Sequence, residues 1–151
     1  MHGRKDATPV ADVDVVYYDR RSATKANDEE IERRLGRQVP EVRWSVKNQA
    51  RMHERNKHPQ YSSLLDALSH WPETATALGA RLTRDAEIEL LAPFGFSDLF
   101  PLIIAPSPGF GAPPDEFLQR VNEKRWLETW PRLRVLLPPS TDAAAQEEPK
   151  L

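Results

Sequence analysis

The sequence predicts an α+β domain, a mixed sheet with flanking helices, and three observations predict it. Residues 12–18 and 40–47 are short runs rich in Val, Tyr and Trp with the two-residue alternation of strands. Capped, amphipathic helical patterns lie between and after those runs. Residues 74–82 and 87–91 flank a polar turn and read as a hairpin. The chain has 151 residues, enough for one domain with a real core over residues 1–137, followed by a disordered Ala-, Glu- and Pro-rich tail over 138–151.

Residues 1–11 are small and polar without periodicity, a lead-in loop. The first strand then sets Asp12 and Asp14 two apart in an otherwise apolar, β-branched run. Alternate side chains of a strand share a face, so the two carboxylates point one way and Val13 and Val15 the other. Their Cβ atoms are expected about 6.6 Å apart, two rises of about 3.3 Å. Such a pair is either an acidic strand end in solvent or a bridge for divalent cations. After a polar turn, Asn27 reads as the N-cap and Glu30 as the capping-box acid of a helix through Ile31 and Leu35, stopped by Gly36. Asp28, Glu29 and Glu30 come early and Arg33, Arg34 and Arg37 late, the order a helix dipole favours; a solvated helix accounts for them.

The second strand, residues 40–47, alternates Val42, Trp44 and Val46 with Glu41, Arg43, Ser45 and Lys47. It runs into a donor-rich segment. Residues 43–58 hold five cationic side chains against Glu54 alone, a local net charge of +4 in a chain of net charge -2. The segment is either a basic solvated face or an anion site. Ser63 and Asp66 open another helix, with Leu64, Leu65, Leu68 and Trp71 as its buried face and Pro72 as its end. In the hairpin, Thr83, Arg84, Asp85 and Ala86 form the turn, and Glu87 and Glu89 share a solvent face. Pro93 and Gly95 turn the chain, Ser97 caps a short helix through Leu99 and Phe100, and 101–114 is irregular. A last helix over 115–129 brings Phe117, Val121 and Lys124 to one spacing, its aromatics reading as core, and 132–137 is a short strand.

With no cysteine, disulfide scaffolds and Cys-ligated zinc are excluded, and a reducing cytoplasm is the expected location. No secretory signal or membrane span is visible, and the mild acidity argues against a general nucleic-acid surface. The sequence lacks a Gly-x-Ser-x-Gly elbow, a phosphate loop, a His-Glu-x-x-His pair and a dinucleotide glycine fingerprint. What remains is the acid pair and the cationic segment. Hard carboxylate oxygens suit Mg²⁺, which is typically held by one or two carboxylates plus substrate phosphates. Lys47, Arg51 and Arg55 could neutralise the remaining phosphate charge, with Arg51 and Arg55 on one helix face. Phosphate-ester chemistry is the simplest joint reading.

Five blocks then resemble a known family: Asp12-Val-Asp-Val-Val-Tyr-Tyr-Asp19, Trp44-Ser-Val-Lys-Asn-Gln-Ala-Arg-Met-His53, His70-Trp-Pro-Glu-Thr-Ala-Thr76, Leu91-Ala-Pro-Phe-Gly-Phe-Ser-Asp-Leu-Phe100 and Lys124-Arg-Trp-Leu-Glu-Thr-Trp-Pro-Arg-Leu133. They are similar to a bacterial nucleotidyltransferase-like family of the DNA polymerase β nucleotidyltransferase superfamily. The resemblance implies that Asp12 and Asp14 bind two Mg²⁺ ions, and that a nucleoside monophosphate passes from an NTP to an acceptor that the sequence does not name. It also implies a Gly-Ser or Gly-Gly turn upstream of the acids and a third carboxylate on the adjacent strand. Only eleven residues precede Asp12 and Gly3 is followed by Arg4, so the expectation is a member shortened at its N-terminal edge. Ser45 occupies the central slot for the third acid, leaving Glu41 and Glu89 as candidates. The alternatives are a non-catalytic truncated remnant of such an enzyme and a sugar-nucleotide transferase using Asp-x-Asp for Mn²⁺.

Overall fold

The computed structural model describes residues 12–111 and 113–137; the expected lead-in loop, with Gly3 and Arg4, and the expected tail lie outside them. β1 (Val13–Tyr17) and β2 (Trp44–Asn48) pair in parallel, with Val13 opposite Trp44, Asp14 opposite Ser45 and Val15 opposite Val46. A parallel pair needs a crossover, and α1 (Lys25–Gln38) supplies it. Val46 is fully buried, and Tyr17 on the Val13–Val15 face reaches α1 by donating its hydroxyl to Asp28 Oδ1 at 2.8 Å. The opposite face of β1 carries Asp14 and Val16, and Asp12 lies just before the strand.

The helix starts three residues earlier than expected. Thr24, not Asn27, is the N-cap: extended at φ -113°, it accepts from the Asn27 amide at 3.3 Å, while the Asn27 side chain donates to the Ser22 carbonyl. Gly36 does not stop it. The backbone there stays helical and the helix ends at Val39, so Gly36 costs about 1 kcal/mol relative to alanine rather than capping. The early acids are not all solvated either. Asp28 is 2% exposed, and Glu32 Oε2 and Asp28 Oδ1 accept from the Val46 and Asn48 amides, at 3.1 and 3.0 Å, along the outer edge of β2.

Beyond β2 a 3₁₀ turn (Gln49–Arg51), capped by the Asn48 side chain accepting from Ala50 N, leads into α2 (Met52–Asn56). Lys57 ends α2 in the left-handed region at φ 56°, and the His58 amide closes the turn on the His53 carbonyl. α3 (Leu64–Ser69) is capped by Ser63 accepting from Asp66 N, as its sequence predicts, but only Leu68 of its leucines is fully buried and Leu65 is exposed. Met52, Tyr61 and Ala67 form one core, with Tyr18 packed on it.

The hairpin forms from β3 (Gly79–Leu82) and β4 (Ile88–Leu91), antiparallel, with Leu82 opposite Ile88. Its first strand is shorter than expected. Residues 74–78 turn instead, because the Glu73 carbonyl accepts from Ala77 N while its buried side chain accepts the Thr76 hydroxyl at 2.8 Å. The helix expected from Ser97 does not form, since Pro101 supplies no amide to continue it and the segment closes as isolated turns. Inside the stretch expected to be irregular, β5 (Ile103–Ile104) pairs in parallel with β6 (Arg134–Val135), all that forms of the strand expected over 132–137.

The last helix divides into α4 (Pro114–Glu123) and α5 (Trp126–Thr129), broken where Arg125 takes φ 52°. Phe117 and Val121 bury with Ile104 in a second core, against which Phe110, Trp126, Leu133 and Val135 pack. The α+β class holds. Among the described residues the strands lie in three two-stranded pairs, two parallel and one antiparallel, rather than in one continuous sheet. Among the described residues no helix is long and apolar enough to cross a membrane.

Candidate functional site

Asp12 lies just before β1 and Asp14 within it, both exposed. The parallel register sets Ser45 beside Asp14 and Lys47 beside Val16, so Ser45 and Lys47 share the acid face. The Lys47 ammonium donates to the Val46 carbonyl at 3.0 Å. Glu41 stands exposed in the turn before β2. Glu89 lies on the hairpin, where Oε2 accepts from Arg81 Nε and Nη2 at 3.0 and 2.6 Å. Among the described residues no three His, Asp or Glu side chains gather into a ligand set.

Asp14 opens onto a cleft of about 720 Å³, within the size range of small-molecule sites. Its other walls come from distant parts of the chain. His58 follows α2, His70 to Glu73 follow α3, and Arg120, Lys124 and Trp126 come from the α4–α5 region. Glu73, 2% exposed, takes Arg120 Nε on Oε1 and the Thr76 hydroxyl on Oε2. Arg120 also lies 5.7 Å from the Trp126 ring centroid.

The wall behind His58 and His70 is built on the buried ring of Tyr61. His70 stacks on it at 5.1 Å, and His58 Nδ1 is 2.7 Å from its hydroxyl, which also accepts from Asn56. Burial, reinforced by the neighbouring His70, lowers the His58 pKa below the ordinary histidine value.

None of the three predicted cations, Lys47, Arg51 and Arg55, lines that cleft. Arg51 and Arg55 line a separate pocket of about 360 Å³ with Arg20 and His53, and neither borders the cleft that Asp14 lines. Arg51 is committed inward: its Nε and Nη2 both donate to Asp28 Oδ2. Asp28 accepts in addition from the Tyr17 hydroxyl and the Asn48 amide. Burial pushes the Asp28 pKa up, but these hydrogen bonds, that of Arg51 first, outweigh it and the net value lies below the ordinary one. Burial first, and then the hydrogen bond to Asp28, pushes the Tyr17 pKa up to about 12.

Sequence reasoning therefore missed the two buried carboxylates, Asp28 and Glu73, and the cleft cation Arg120. Asp28 looked like a dipole-favoured surface acid because its burial depends on Asn48 and Arg51, more than a dozen residues away. Glu73 follows Trp71 and Pro72, an apolar context that could have marked it as an acid in need of a partner.

Known proteins agree with this architecture. Residues 1–135 match the model of a family described as Nucleotidyltransferase. The chain is also similar, at 30% identity and a TM-score of 0.73, to an NMR structure described as revealing a CCA-adding enzyme head domain; the match covers 85% of this chain and 69% of that one. No curated protein matches the chain. An acid-bearing first strand over a nucleotide-sized cleft, in a chain matched along most of its length, places this protein in the Nucleotidyltransferase family.

Proposed function

We infer that this chain transfers a nucleoside monophosphate from an NTP to an acceptor hydroxyl, with release of pyrophosphate, and that Asp12 and Asp14 hold the Mg²⁺ for that reaction. One observation carries the reading: Asp14 borders a cleft large enough for a nucleotide, in a chain of the Nucleotidyltransferase family. The donor set fits the ion. Two exposed carboxylates two residues apart, one just before β1 and one within it, supply hard oxygens, and substrate phosphates and water complete such a shell without an all-protein cage. When bound, Mg²⁺ neutralises phosphate charge and lowers the pKa of a coordinated hydroxyl. The chain's own groups orient the reactants. Lys47 shares the strand face of Asp14, which supports a role for it toward phosphate charge, and His58 borders the same cleft as Asp14.

The resemblance to a CCA-adding head domain supports a polynucleotide end as the acceptor class. A non-catalytic role is the competing reading, favoured by Ser45 standing where a carboxylate beside Asp14 would complete the acid set.

Titration calorimetry of MgATP into the wild type and into Asp12→Asn/Asp14→Asn separates them. The expected result is binding by the wild type that weakens at least about tenfold in the variant, about 1.4 kcal/mol. Equal binding in both proteins removes the assignment of the pair. Pyrophosphate release dependent on Asp12 and Asp14 rules out the non-catalytic reading.

A further inference from the structure

We propose that Arg120 and Lys124 form the polyphosphate-binding wall of the cleft, taking the role that the sequence pattern offered to Arg51 and Arg55. The proposal rests on the nucleotide-transfer reading above and names the groups that hold the triphosphate. Glu116, Arg120 and Lys124 recur every four residues and so lie along one face of α4 and its C-terminal cap, and all three border the cleft that Asp14 borders. Phe117 and Val121, buried at 0% and 2%, hold the neighbouring face of the helix against the second core, so the cationic face is fixed toward the cleft.

The two cations differ in what they already do. Arg120 is clamped by Glu73 and laid over Trp126, which orients a planar guanidinium while leaving it 34% exposed. Lys124 is exposed and makes no side-chain ion pair among the described residues, so its charge is uncompensated. Arg51, by contrast, is committed to Asp28, and Arg51 and Arg55 open on a different pocket. A triphosphate whose reacting end meets the Asp14 side of the cleft would then have Lys124 as its free counter-charge and Arg120 as a preoriented donor. Glu116 adds a negative charge to the same wall, which favours binding of the polyphosphate as its Mg²⁺ complex over the bare anion.

The test uses inorganic triphosphate, ATP and AMP, each with Mg²⁺, titrated into the wild type, Lys124→Ala, Lys124→Arg, and a Glu73→Gln/Arg120→Gln double variant. The double variant removes both charges of the buried pair together, so neither partner is stranded. Lys124→Ala is expected to weaken triphosphate and ATP about tenfold, with AMP nearly unchanged and Lys124→Arg restoring most of the loss. The double variant is expected to lose at least as much. Wild-type affinity for triphosphate in Lys124→Ala and in the double variant overturns the proposal. If ATP binding then still depends on Asp12 and Asp14, the nucleotide-transfer reading survives that result. Lys124-dependent triphosphate binding that ignores the acid pair has the opposite meaning: the polyphosphate wall stands and the metal assignment falls.

Discussion

In the β1–α1–β2 half, Asp28 accepts from the Tyr17 hydroxyl, the Asn48 amide and two nitrogens of Arg51. In the half built around Phe117, Glu73 accepts from Arg120 and the Thr76 hydroxyl. Both carboxylates are 2% exposed, yet the first arginine turns inward and the second borders an open cleft. Four donors from three elements make Asp28 a stitch between the strands and their crossover helix. Fewer donors and a half-solvated partner make Glu73 a clamp that holds a cation toward solvent. Equal burial of an acid therefore does not mean equal function; what its arginine faces decides.

The largest effect that would sharpen this contrast is at Asp28. Asp28→Ala strands Arg51 and leaves the Tyr17 hydroxyl and the Asn48 amide without their acceptor, a cost of about 3–5 kcal/mol in urea denaturation. A cost below about 1 kcal/mol would abolish the distinction between the halves. The pH dependence has a definite sign. Because the folded-state pKa of Asp28 lies below the ordinary 3.8, its contribution is fully present above that value and is lost as pH falls through the folded pKa. Acid titration of the wild type should show a stability loss in that window that Asp28→Asn lacks.

A smaller effect is expected at Glu73. Glu73→Gln keeps a hydrogen-bond acceptor for Arg120 but removes the charge, at about 1–2 kcal/mol, because Arg120 can turn to water. Thermal melts of the two single variants side by side rank the halves. If Glu73→Gln costs as much as Asp28→Ala, the clamp is structural and the comparison fails. The smallest effect is at the end of α2. Lys57 occupies the left-handed region at φ 56°, so Lys57→Gly should stabilise by about 0.5 kcal/mol, relief of backbone strain offset in part by unfolded-state entropy. A loss on that substitution would show that the Lys57 side chain contributes contacts of its own.

Elements whose signals are local were readable. β1, the Ser63 cap of α3 and the hairpin each follow from alternation or from one side chain three residues away. Elements decided by distant partners were not. β5 pairs with β6 from a distant part of the chain, whereas the Thr24 cap and the Glu73 turn are local and were masked by competing local signals, Asn27 and the alternation of residues 74–78. The site divides in the same way. The place of Asp14 on one face of β1, with Ser45 beside it, follows from strand alternation and register. Which cations accompany that acid is set by tertiary placement, and there Arg51 is bound to Asp28 while Arg120 and Lys124 border the cleft.

The carboxylates of Glu32 and Asp28 along the outer edge of β2 have one more consequence. A two-stranded parallel pair ordinarily offers a row of free amides on which a stranger's strand can grow, the first step toward aggregation. Here the Val46 and Asn48 amides are already occupied by side chains of the crossover helix, so an incoming strand would find those two donors taken. The residues that hold α1 to the sheet thus also take up donors on which a neighbouring strand would grow.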